Sequence, residues 1–137
     1  MVIRSEFTDL RRAQQALLDE VARHGYSESA SFAIRLAVEE ALNNAIKHGN
    51  AMDPDKRVTI CYEVDERCTE VTVIDEGRGF DPKRIPDPTA DENIEKPCGR
   101  GIMLMRAYMD DVQFLGGGNQ VRLVKVNDRH GSRDASD

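Results

Sequence analysis

Three short segments, in a fixed order, hold the residue types suited to chemistry: Glu40-Ala41-Leu42-Asn43-Asn44-Ala45-Ile46-Lys47-His48-Gly49, Asp75-Glu76-Gly77-Arg78-Gly79-Phe80, and Gly99-Arg100-Gly101. Glu40, Asn44 and His48 recur every four residues, which stacks them along one stripe of a helix. An amide oxygen such as that of Asn44 suits Mg2+, a hard ion that takes few protein ligands and relies on phosphates for others. A carboxylate one turn away, that of Glu40, can accept a proton from a nucleophile or orient it. A solvated face is the plainer reading of such a stripe. An amide at Asn44 weighs against it, being a poor helix former with no cap role there. His48 reads as a structural residue at the helix end.

The second segment ends the apolar run Val71-Thr72-Val73-Ile74 in Asp75. A carboxylate there is an acceptor-only group at a pocket floor, suited to an exocyclic amine. Gly77 and Gly79 remove side chains where a planar base or ribose must come close to the backbone. An ordinary strand-to-turn exit would use the same residue types. The third segment places glycines just ahead of Ile102-Met103-Leu104-Met105-Arg106-Ala107-Tyr108-Met109. Free N–H groups at a helix start make an anion site for phosphates, though a hinge would look alike. Neither a G-x-x-x-x-G-K-[ST] loop nor a dinucleotide fingerprint occurs, so nucleotide binding must use another solution.

The elements that must position these residues are legible from period and caps. Val2–Phe7 is a short strand candidate. Thr8 or Asp9 can cap a helix with Leu10, Ala13, Leu17, Leu18 and Val21 inward, ending at Gly25. Ser27 or Ser29 opens a second helix, with Phe32, Ala33, Leu36, Ala37, Ala41 and Ala45 on its apolar face and Gly49-Asn50 closing it. After the turn Asp53-Pro54-Asp55, residues 57–64 and 69–74 alternate as a hairpin. A third helix spans about residues 101–109, and strands at 112–115 and 120–126 follow, joined through Gly116-Gly117-Gly118-Asn119. The order implies an α/β (α+β) two-layer sandwich: a mixed, mainly antiparallel sheet with helices on one face. Residues 1–126 form the domain, and 127–137 are a polar, frayed tail.

Composition narrows the class. The 137 residues fit one domain, and 39% hydrophobic residues can supply its core. A formal net charge of −6, with both signs interspersed, argues against a nucleic-acid binder. No run approaches the roughly 18 apolar residues of a membrane span, and the N-terminus lacks a signal-peptide layout. A soluble cytoplasmic protein is expected. Cys61, Cys68 and Cys98 show no metal spacing and read as reduced thiols.

In this order the three segments resemble the GHKL (Bergerat) nucleotide-binding fold shared by gyrase, histidine kinases and MutL. Glu40-x-x-x-Asn44-Ala45-x-x-His48-Gly49 is similar to its Asn-containing box. Asp75-x-Gly77-x-Gly79-Phe80 is similar to its first glycine box, and Gly99-x-Gly101 to its second. The Pro-rich connection, at about residues 78–100, then corresponds to an ATP lid. Within the superfamily, the run Leu36–Gly49 resembles the bacterial anti-sigma factor serine/threonine kinases.

That resemblance implies ATP/ADP and Mg2+ as ligands, with Asn44 holding the metal and Glu40 acting as general base toward a substrate serine. Asp75 would take the adenine amine, Gly77 and Gly79 would line the base pocket, and Gly99, Arg100 and Gly101 would meet the phosphates. The implied partners are a sigma factor and a small STAS-type antagonist that is phosphorylated, with a homodimer as a further expectation. No nucleic acid or membrane is implied. Two other readings are a non-catalytic nucleotide-binding module that sequesters its partner and the ATPase part of a histidine kinase.

Overall fold

The computed structural model describes residues 2–4, 7–50, 53, 55–77, 97–116 and 119–128, with the side chains of Arg4, Phe7, His48 and residues 97–100 outside the description. Five strands and three helices follow the order β1 (Val2–Arg4), α1 (Phe7–Arg23), α2 (Glu28–Asn44), β2 (Arg57–Val64), β3 (Cys68–Ile74), α3 (Pro97–Tyr108), β4 (Asp111–Leu115) and β5 (Gln120–Val126). Helix α2 runs on into a single π-type turn, Ala45–Gly49.

The sheet order is β1-β2-β3-β5-β4, and every pairing is antiparallel. Among the described residues no parallel pair occurs, so the sheet expected as mixed and mainly antiparallel is antiparallel throughout them. Helix α3 lies between β3 and β4 in sequence, and β5 returns beside β3 running against it. Alternation decides which face is covered. Val58 and Ile60 of β2, Val71 and Val73 of β3, and Val121 and Leu123 of β5 are buried in register and join one core with Leu17, Val21, Ile34, Val38, Leu42 and Met105 from the helices. The outward positions between them, such as Cys61, Glu63 and Arg122, remain at least partly exposed. The two-layer sandwich with helices on one face follows from that single buried face.

Ser27 caps α2 as its sequence suggests. Its hydroxyl accepts from the Ala30 amide at 3.0 Å and donates to the Asp128 carboxylate at 2.7 Å. Other expectations shift. Helix α1 begins at Phe7, so Thr8 and Asp9 sit inside its first turn; an acid there suits the positive end of the helix dipole. Phe32, expected in the core, is 53% exposed. The buried face of α2 runs through Ala33, Ala37 and Ala41, and Phe32 instead meets Tyr108 of α3 edge to face, ring centroids 6.0 Å apart. The tail is also anchored at its start. Asn127 is buried, its amide N–H donating to the Arg67 carbonyl at 2.8 Å and its side chain to the Glu66 carbonyl at 3.0 Å.

Candidate functional site

Helix α2 supplies the polar stripe. Glu40 and Asn44 are half-buried, and α3 crosses directly over them at Gly101. A Cβ on Gly101 would lie 3.0 Å from Asn44 Nδ2, 3.1 Å from Glu40 Oε2 and 3.3 Å from Asn44 Oδ1. A side chain at Gly101 would crowd both polar groups, which would have to give by a few tenths of an ångström. The Asn44 amide oxygen is a ligand that fits a hard divalent ion with phosphates completing its shell, and the Glu40 carboxylate one turn away sets a proton acceptor beside it.

The glycine segment lies within α3 rather than ahead of it, because Pro97 starts the helix. Proline suits that first position: its fixed φ is helical, and its missing N–H is one the helix would leave unbonded anyway. The first four residues of a helix have no intrahelical acceptor for their N–H groups. Cys98, Gly99 and Arg100 therefore carry N–H groups with no acceptor within α3, at its positive end. Gly101, the fifth residue, makes the close approach to α2.

Beyond Asn44 the four-residue spacing gives way. The Asn50 amide donates to the Ala45 carbonyl at 2.8 Å, a bond across five residues that widens the last turn. His48 lies within this widened turn. Its side chain, Gly79, and the lid expectation for residues 78–96 lie outside the described residues.

Asp75 leaves β3 half-buried. Burial pushes its carboxyl above the ordinary carboxylate range, while the Gly77 amide, donating to Oδ1 at 2.7 Å, and the Lys56 charge pull the other way. The backbone around it is held from the β4–β5 loop. The Asp75 amide donates to the Asn119 carbonyl at 2.9 Å, and the Asn119 side chain donates to the Asp75 carbonyl at 3.3 Å. From the other side, Asn50 Oδ1 accepts the Glu76 amide at 2.8 Å. Asn119 and Asn50 were legible in the sequence only as a loop end and a helix end. Their work is done through tertiary hydrogen bonds that no local spacing encodes.

The structure therefore brings Glu40, Asn44 and Gly101 into contact and sets Asp75 with Gly77 at the exit of β3. Separately, a polar groove of about 570 Å3 opens between α1 and α2, lined by Arg11, Gln14, Arg35, Glu39 and Asn43 among others. Cys61 and Cys68 are free thiols. Among the described residues no helix is long and apolar enough to cross a membrane.

The chain is similar to several known proteins. A serine-protein kinase RsbW of Oceanobacillus iheyensis is 30% identical over 98 residues, covering 67% of this chain and 62% of the relative. An anti-sigma F factor of Heyndrickxia coagulans is 36% identical over 95 residues, covering 64% of each. The chain thus spans somewhat under two thirds of the length of these curated relatives. Among solved structures, the RsbU and RsbW domains of Rv1364c from Mycobacterium tuberculosis superpose with a TM-score of 0.56 at 19% identity, over 93% of this chain and 31% of that one. The histidine kinase domain of the Erythrobacter litoralis EL346 blue-light activated histidine kinase gives a TM-score of 0.55 at 18% identity, over 95% and 64%. These two likenesses carry the fold. The match to the histidine kinase-like ATPase domain runs over residues 3–125, through every strand and helix that builds the site. By that match, this chain belongs to the histidine kinase-like ATPase domain family.

Proposed function

We propose that the chain is an ATP- and Mg2+-dependent serine/threonine protein kinase of the anti-sigma factor type. It phosphorylates a STAS-type antagonist and regulates transcription by switching between that antagonist and a sigma factor. The observation that carries the reading is the convergence of Glu40 and Asn44 beneath Gly101. The relatives named serine-protein kinase and anti-sigma F factor support it. The action is cytoplasmic, where a sigma factor is met, and the homodimer is part of the same reading.

Asp75 accepts from the adenine amine, and Gly77 and Gly79 leave room for the base. The first-turn amides of α3, at Gly99 and Arg100, face the phosphates, and Gly101 keeps α3 close above Asn44. Asn44 would hold Mg2+, whose chemistry is to neutralise charge across the phosphate chain. Glu40 takes the proton of the substrate hydroxyl as its oxygen bonds to the γ-phosphorus; the bond to the bridging oxygen breaks and ADP leaves. Such transfer depends on positioning and charge stabilisation more than on covalent help from the protein.

The test is incubation with labelled ATP and the co-purifying or genomically adjacent antagonist. Phosphate on a serine or threonine of the antagonist is the expected outcome. Nucleotide binding without transfer to any hydroxyl would leave a sequestering module, and a covalent phosphohistidine would move the chain to the histidine kinases.

A further inference from the structure

Three residues from three different elements close a ring of hydrogen bonds. Asn50 Nδ2 donates to the Arg57 carbonyl at 2.9 Å, the Arg57 amide donates to Glu76 Oε2, and the Glu76 amide donates to Asn50 Oδ1 at 2.8 Å. Each member belongs to a different element: Asn50 ends the π turn after α2, Arg57 starts β2, and Glu76 follows Asp75 at the exit of β3. Asn50 is fully buried at the centre, with its backbone amide closing the π turn on Ala45.

A buried amide that meets partners with both its donor and its acceptor fixes its surroundings sharply, because losing either leaves a polar group unpaired. What the ring ties together is the end of the turn after α2, the start of β2 and the exit of β3. Helix α2 carries Glu40 and Asn44, and the segment beyond β3 carries Asp75. No strand pairing links these two directly.

We propose that Asn50 is a positioning residue for base selection. Through the Arg57–Glu76 ring it sets the register of Asp75 against the Asn44 end of the pocket, so that the exocyclic amine of adenine meets the carboxylate while the phosphates sit at α2 and α3. The inference rests on the nucleotide-binding reading above. Misplacement on the ångström scale is enough to cost large factors in a site of this kind. Glu76 is the more tractable probe, since its side chain is exposed and its truncation opens no cavity.

The experiment compares ADP with inosine diphosphate, which lacks the exocyclic amine, by calorimetry in the presence of Mg2+. The ratio of the two affinities cancels any general effect on phosphate binding or on folded fraction. Asn50→Ala and Glu76→Ala should each lower that ratio at least about fivefold, mainly by weakening ADP. Glu76→Gln, which keeps an acceptor for the Arg57 amide, should restore it. An unchanged ratio in Glu76→Ala and in any folded Asn50→Ala, while Asp75→Asn flattens it, overturns this inference alone. An Asp75→Asn ratio equal to wild type overturns it together with the base-recognition reading.

Discussion

Gly101 of α3 and Asn44 of α2 stand so close that a single methyl on the glycine would reach within 3.0 Å of the asparagine amide. Helix–helix packing and the chemistry of the site are therefore one constraint. Gly101→Ala should separate stability from function. Alanine favours the helix by about 1 kcal/mol over glycine, which offsets much of the crowding, whereas Asn44 and Glu40 must move aside. The expected result is a melting temperature within a few degrees of wild type and Mg2+-dependent nucleotide affinity reduced about tenfold or more. Circular dichroism and calorimetry on the same sample check both halves.

If Asp75 takes the adenine amine as proposed, Asp75→Asn replaces one of its acceptors with a donor facing that amine. An unmatched hydrogen-bonding group in a buried site costs about 1–3 kcal/mol, so ATP affinity should fall at least about fivefold. Calorimetric affinity equal to wild type would remove Asp75 from the pocket.

The same substitution has a pH signature. Burial raises the Asp75 pKa above its unfolded value, so the charged form disfavours the folded state once the pH exceeds that raised value. Asp75→Asn should stabilise the nucleotide-free protein at neutral pH, and the gain should shrink as the pH falls through the raised pKa. Glu70 behaves oppositely. Its bond to Arg122, 2.6 Å long, holds its pKa down, so its contribution is present above the ordinary glutamate value and is lost as the pH falls through the lowered one. Urea titrations of Asp75→Asn and Glu70→Gln at neutral and acidic pH should give differences of opposite sign.

Ser27 joins the start of α2 to the chain after β5. Ser27→Ala removes the cap bond to Ala30 and the contact with Asp128, for a cost of about 1 kcal/mol. In a domain of this size that is a drop of about 3–5 °C in Tm, with ATP affinity unchanged because the cap lies at the opposite end of α2 from Asn44. Differential scanning calorimetry with and without nucleotide reads both.

The parts that were legible in the sequence are those governed by local period and local caps. The alternation through Val58, Ile60, Val71 and Val73 marked the sheet's buried face, and Ser27 marked the start of α2. The Glu40–Asn44 pairing needed only the pitch of a helix. What escaped depends on partners distant in sequence. The Asn50 side chain that accompanies the π turn is held by Glu76, 26 residues away, and the pairing of β5 against β3 depends on where α3 returns the chain. Pro97 moved the start of α3 upstream of the glycines, and Asn127 was anchored by carbonyls of the β2–β3 turn.

The most direct test of the account is a single-turnover reaction of ATP, Mg2+ and the cognate antagonist with wild type and Glu40→Gln in parallel. The account predicts phosphoserine or phosphothreonine on the antagonist with wild type. With Glu40→Gln it predicts unchanged ATP affinity and transfer slowed by roughly 10²-fold or more, the scale of a lost general base. Equal transfer rates in the two proteins would contradict it.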